Sequence, residues 1–358
     1  MDKLLWIISQ SSAKFRRSRN MICIRKRYFN WNRALLLPLG LWPDRQTKFT
    51  RFQTRLFCCF LMSSIAFQFS RLFKAECSTD HAIIIISCAT FYVMLTIMFI
   101  CFWINMKNTK YFLDRLQCTY NGLKDRNEMA IYDKYGYIGK RLTIILTVLI
   151  MGAVFGNFII LYLPYILDIV MSKNESYAIH IMEMVTKYFI VSEKYYFLIL
   201  VHLNATCSAE LIVFTATATT LMSIFKHICG MFEIASYRIE QAMTIELLRD
   251  LNTKNEILIY KNLICAVDIH RKAMVFAKCF MKKLEGSFFF LIIATVLCLS
   301  FNLFGLFHIE SPTEEMEEVL LHNGAVIIIL VVLFLANYTG QEITDHSNSV
   351  YVTTYNVS

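Results

Sequence analysis

Long apolar stretches alternate with strongly basic ones along this chain. The apolar stretches fall at roughly 56–73, 82–104, 142–166, 195–224, 287–307 and 325–338. About 20 predominantly apolar residues are needed for a helix to cross the hydrocarbon core of a bilayer, so the pattern predicts six crossings. Ile83–Ile86 and Ile327–Leu335 are unbroken apolar runs, not the alternation of a lipid-facing strand, and the crossings are therefore expected to be helices. Of the 36 Lys and Arg residues, 31 lie before the first stretch, after the second or after the fourth. Short basic loops stay cytoplasmic. Residues 1–51, 105–141 and 226–285 are thus expected inside the cell, with the N-terminus among them. The segment 308–320 carries Glu310, Glu314, Glu315, Glu317 and Glu318 and no Lys or Arg, as an external loop would.

Composition sharpens the class. The chain has 358 residues, 56% of them hydrophobic and 18% charged, with a mean hydropathy of +0.48, too apolar for a soluble domain of this length. Only 11 Gly and 4 Pro occur, which favours long helices over short strands and turns. The net charge of +9 belongs to the flanks of the crossings, where it meets anionic headgroups. No aromatic-interleaved basic patch points to nucleic acid. Leu4–Ile8 precedes Lys14, Arg16, Arg17 and Arg19, the reverse of a cleavable signal. The twelve cysteines form no C-x-x-C pair and read mostly as small apolar packing residues.

Local signals add detail. Leu39-Gly40-Leu41-Trp42-Pro43 marks a turn into the first crossing. Gly152-x-x-x-Gly156 in the third invites close helix approach, and Pro164 a kink near its outer end. Asn174-Glu175-Ser176 is a glycosylation sequon in a segment expected outside, so Asn174 is the candidate acceptor. Between the fourth and fifth crossings, Leu247, Leu248, Leu251, Ile257, Leu258, Leu263, Ile264 and Val267 recur at helical spacing, predicting two amphipathic helices that continue those crossings below the membrane.

No phosphate-binding loop, dinucleotide fingerprint, zinc-protease helix or nucleophile elbow occurs, and no histidines have ligand spacing beside a carboxylate. An enzyme is not expected, and no cofactor or metal is called for. The fourth crossing is the polar exception: His202, Thr206 and Glu210 recur every four residues on one face. Ionisable groups at membrane depth are costly and face a bundle interior or a water-filled cavity. The stripe reads either as part of a ligand cavity or as interhelical hydrogen bonding that orients the helix. Tyr92, Phe155, Phe158, Tyr196 and Phe214, from crossings two to four, supply the aromatic lining that a small organic ligand requires; helix packing alone accounts for the same residues.

Three stretches in this order are similar to the insect odorant receptor family, in particular its hymenopteran branches. The first is Leu39–Pro43. The second is His227-Ile-Cys-Gly-Met-Phe-Glu-Ile-Ala-Ser-Tyr-Arg-Ile-Glu240, followed by Ala266-Val-Asp-Ile-His-Arg-Lys-Ala273. The third is Ala336-Asn-Tyr-Thr-Gly-Gln-Glu-Ile-Thr-Asp-His-Ser347 with Thr354-Tyr355-Asn356; Gly340, Gln341, Asp345, Ser347 and Tyr355 carry it. The resemblance implies an all-α polytopic membrane bundle with a cytoplasmic N-terminus, located in the plasma membrane. It implies a hetero-tetrameric cation channel formed with the odorant receptor coreceptor and opened by small volatile odorants. Residues 1–51 would be a cytoplasmic segment, 52–225 the ligand-binding crossings one to four, 226–285 a cytoplasmic anchor and 286–345 crossings five and six. In the family a seventh, pore-lining helix follows. Here 346–358 would be its truncated start, with six of the usual seven crossings present. A G-protein-coupled receptor is the alternative, disfavoured by the basic N-terminus and by the lack of Asp-Arg-Tyr and Asn-Pro-x-x-Tyr motifs. A gustatory receptor shares the topology and is separated by the Gly340-Gln341…Asp345…Ser347 stretch.

Overall fold

The computed structural model describes residues 23–44, 46–69, 79–171, 196–243, 253–309 and 316–357, and among them every regular element is a helix. In chain order these are α1 (Ile24–Arg27), α2 (Asn30–Leu36), α3 (Lys48–Phe69), α4 (Thr79–Ile104), α5 (Met106–Gly122), α6 (Arg126–Met171), α7 (Tyr196–Ala242), α8 (Thr253–His308) and α9 (Met316–Val357). Five are long and apolar enough to cross a membrane: α4 and α6 to α9. The expected first crossing lies on α3 as far as Phe69; its remainder falls outside the described residues. So do Asn174, Leu247, Leu248, Leu251 and much of the acidic segment 308–320.

Helix length explains the architecture. At 1.5 Å per residue the 46 residues of α6, 47 of α7 and 56 of α8 reach about 70 to 85 Å, more than twice a hydrocarbon core of about 30 Å. Each therefore projects well beyond a bilayer, and the projecting ends bundle. The positions 225/226, 285/286 and 345/346, expected as segment borders, fall inside α7, α8 and α9. No helix break accompanies the change from apolar to charged sequence: Gly230 of α7, Gly286 of α8 and Gly340 of α9 are carried inside their helices, each at a cost of roughly 1 kcal/mol relative to Ala. Likewise α6 is helical on both sides of Pro164.

The basic end holds the main core. Tyr28, Phe29, Phe112, Tyr132, Phe232 and Phe280, from the α1–α2 junction, α5, α6, α7 and α8, are each at most 1% exposed and share one cluster. Burying an aromatic side chain contributes roughly 1.5–3 kcal/mol, so these rings dominate the packing there. The Leu39–Pro43 signal is the turn expected: Gly40 sits at φ +70. Its N–H bonds Leu37 O at 3.0 Å and that of Leu41 bonds Leu36 O at 3.0 Å, a Schellman closure of α2. A Cβ on Gly40 would stand 2.4 Å from Thr54 Oγ1, so both conformation and space demand glycine.

Gly152 and Gly156 do not bring helices together as expected. Among the described residues a Cβ on either meets nothing within 4 Å. The close crossing of α6 and α7 is made nearer the basic end, where a Cβ on Gly139 would come within 3.2 Å of Ser223 Cα.

Candidate functional site

α7 runs through the centre of the bundle, and its polar stripe divides at the middle. In the apolar half, Glu210 is 0% exposed and neither carboxylate oxygen has a hydrogen-bond partner among the described residues. Ser64 of α3 faces it, but the Ser64 hydroxyl donates to Leu61 O at 2.7 Å within its own helix. Tyr92 of α4 lies against Cys207 and Glu210. Two turns away, the His202 ring meets Phe60 edge-on at 5.5 Å and Phe67 at 6.3 Å. These two phenylalanines bracket Ser64 on one face of α3, at i−4 and i+3. Phe214, one turn beyond Glu210, packs beside Met94 and Leu95 of α4 and Ala294 of α8.

His202, Glu210, Tyr92 and Phe214 thus lie along one interior face, to which Phe60, Ser64 and Phe67 add a wall that sequence reasoning missed. Their signal was present as a 3–4 spacing in the first apolar stretch. Phe155 and Phe158 are not brought to this face: they stand outward on α6, 66% and 51% exposed, where lipid or another subunit would cover them. Tyr196 begins α7, and nothing is described of its side chain. Four threonines of α7 do not bridge helices as the orientation reading requires; Thr219 does, by accepting from Asn32 of α2. Thr206, Thr215, Thr217 and Thr220 each donate to a carbonyl one turn back, which satisfies the hydroxyl locally. Among the described residues, Glu210 is the one buried carboxyl group left without a hydrogen bond.

The basic half of α7 is the opposite. Lys226, 6% exposed, ion-pairs with Glu342 of α9, and its ammonium lies 5.8 Å from the Tyr338 ring centroid. Arg238 forks onto both Glu128 oxygens at 2.5 and 2.9 Å and donates to Cys265 O at 2.8 Å, tying α6, α7 and α8 together. Asn32 of α2 donates to Thr143 at 3.3 Å and Thr219 at 3.1 Å. His227 is enclosed by Phe29 (stacked, 5.4 Å), Tyr28 and Tyr132, and this burial pushes its imidazole down from 6.5 to about 3.

The signature residues of α9 sit at this end. His346 Nε2 is 3.2 Å from the Tyr135 hydroxyl, and its Nδ1 is 3.5 Å from a Glu233 oxygen. Asp345 accepts from Gln341 along the helix at 2.8 Å, and the Ser347 hydroxyl points at Met274 Sδ at 3.4 Å. Gly340 has open space around it and Tyr355 is 75% exposed. A cleft of about 600 Å³ opens between α5, α7 and α8, lined among others by Arg115, Lys124, Arg238 and Lys272. Two of those cations are already matched, Arg238 by Glu128 and Lys272 by Asp268, so the cleft has mixed charge and no single ligand chemistry.

Comparison with known proteins gives the frame for both halves. A family model described as 7tm Odorant receptor matches residues 78–358. The fold is similar to the insect olfactory receptor OR5 from Machilis hrabei in complex with eugenol, with a TM-score of 0.59 and 13% identity over 92% of this chain and 89% of that one. The structure of the same receptor described without a ligand has a TM-score of 0.58 and 13% identity over 93% and 88%. No curated protein matches by sequence.

Proposed function

The chain belongs to the 7tm odorant receptor family, and from that premise we propose that it is an odorant receptor subunit that takes a small volatile organic ligand into the apolar half of its bundle. Ligand binding there biases a cation channel formed with the odorant receptor coreceptor as a hetero-tetramer in the plasma membrane, with the basic end cytoplasmic. Membership in a receptor family, not an enzyme family, agrees with the absence of catalytic motifs from the sequence.

One observation carries the ligand site: the buried, unpartnered carboxyl group of Glu210 on the interior face of α7. A buried polar group without a partner costs about 1–3 kcal/mol. At membrane depth such a group is a functional-site hypothesis by default, because the cost is tolerated where something else gains from it. A ligand with one polar atom and an apolar body fits a carboxyl group flanked by Tyr92, His202, Phe60 and Phe67. A ligand that favours one arrangement of these helices shifts the closed–open equilibrium by its differential affinity for the two states.

The test is binding followed by assembly. The purified chain in detergent should be thermally stabilised by a subset of a panel of neutral and polar volatiles, and Glu210→Gln and Tyr92→Ala should reorder that subset. It should also co-purify with tagged coreceptor, and an N-terminal tag should stain only in permeabilised cells. Stabilisation by no volatile, or an unchanged ranking in both variants, would defeat the ligand site. Staining of intact cells would defeat the orientation.

A further inference from the structure

The stretch Gly340–Ser347 carries part of the family resemblance, yet odorant binding leaves it unused. Glu342 and His346 are one turn apart on α9; Cys229 and Glu233 are one turn apart on α7, facing them. Residues at i and i+4 share a helix face, so the crossing sets two pairs of metal-ligating side chains against each other. The Cys229 thiol, a Glu342 oxygen and a His346 ring nitrogen all lie within 4.8 Å of one another. Adjustments of about 1 Å would bring them to the separations of ligands bound about 2.0–2.3 Å from one ion.

We infer that the α7–α9 crossing is a binding site for a divalent transition-metal ion of the zinc class, with Cys229, Glu342 and His346 as its ligands. A thiolate, an imidazole and a carboxylate suit zinc and its neighbours and select against magnesium and calcium, which take oxygen ligands. Charge supports the assignment. The three positive charges of the ion and Lys226 are balanced by the Cys229 thiolate, Glu342 and Glu233, so the site is neutral when filled. Binding releases the thiol proton to solvent, as metal binding by cysteine does.

The surroundings supply outer support. Lys226, paired with Glu342, holds that carboxylate in place. Whichever ring nitrogen of His346 takes the ion, the other retains a polar partner, Glu233 at Nδ1 or Tyr135 at Nε2, the arrangement that orients metal-bound histidines. Cys229 is 1% exposed, whereas Glu342 and His346 are half-buried, which leaves an entry path from the basic end. The ion would clamp α9 to α7 beside the Lys226–Glu342 ion pair and the His346–Glu233 contact.

The experiment is Co²⁺ titration of the purified full chain in detergent after treatment with a chelator. The expected result is thiolate-to-cobalt charge-transfer absorption that saturates at one ion per chain and is bleached by Zn²⁺. Cys229→Ser should abolish this band and Cys265→Ser, on α8, should leave it. His346→Ala should weaken binding by at least about tenfold. Should Cys229→Ser fail to fold, the affinity of His346→Ala, altered at the half-buried rim, decides the matter alone. No band at stoichiometric Co²⁺, a band unchanged in Cys229→Ser, or unchanged affinity in His346→Ala would overturn the site.

Discussion

Glu210 and Lys226 lie about 24 Å apart along α7 and bury charge in opposite ways. Lys226 has its counter-ion on α9, and Arg238, farther toward the basic end, forks onto Glu128 of α6. Glu210 has none among the described residues. The difference follows from what surrounds each stretch. At the basic end the helices supply both signs of charge around a shared aromatic core, so the buried charges of Lys226 and Arg238 find partners. In the apolar half Phe60, Phe67 and Met94 fill space and donate nothing, and the Ser64 hydroxyl is spent on Leu61 O. One end of α7 is built as a clamp and the other keeps a polar group in reserve.

The sharpest way to break this contrast is to remove one half of the clamp. Lys226→Ala leaves the Glu342 carboxylate beside a packed interior and should cost about 3 kcal/mol of stability, whereas Lys226→Met with Glu342→Leu should recover most of it. Denaturant unfolding in detergent reads both. If the double variant is as unstable as the single, the pair is not what holds the junction. Gly136→Ala probes the packing around the same clamp. Its Cβ would come within 2.9 Å of the Tyr28 ring and 3.0 Å of His227, and overpacking of this kind costs about 1–3 kcal/mol. A thermal midpoint equal to that of the parent would mean that the rings yield freely.

Acid should act on the clamp before it acts on the apolar half. The neutral imidazole of His227 is favoured in the fold, because burial holds it near 3 against an ordinary 6.5. Its contribution is complete above 6.5 and is lost as pH falls below that, by up to about 1.4 kcal/mol per pH unit until about 3. His227→Phe should flatten that slope; an unchanged slope between pH 6.5 and 5 would assign the acid sensitivity elsewhere. Glu210→Gln should change stability by less than about 1 kcal/mol, since no partner is lost, while shifting ligand potency by about tenfold, or 1.4 kcal/mol. A large stability loss with unaltered ligand response would turn Glu210 into a structural group. The smallest effect is expected for Phe155→Ala, on the outward face of α6: within about 0.5 kcal/mol in stability, and no change in ligand ranking. A changed ranking would bring Phe155 back to the ligand.

Much of this was legible from residue order. The all-helical class, the apolar crossings, the basic end and the polar stripe that holds Glu210 follow from composition and spacing, and so does the odorant receptor resemblance that the family match supports. Other features were not legible. Gly152 and Gly156 promised a helix contact and face open space, while Gly139, in no motif, makes the close approach. Phe60 and Phe67 looked like ordinary apolar residues until α3 was set against His202.

What the sequence determined by itself is what local chemistry controls: where helices form, how long they run, which stretches tolerate lipid and which carry charge. Tertiary structure alone decided which side of each helix faces inward. In a crossing that is apolar all round, no hydrophobic face distinguishes inside from outside, so rotation about the axis is set by packing against neighbours. That is why Phe155 and Phe158, plausible lining residues by position, point outward from α6. It is also why Glu342 and His346, read only as parts of a signature, meet Lys226, Cys229 and Glu233 from a segment more than a hundred residues earlier.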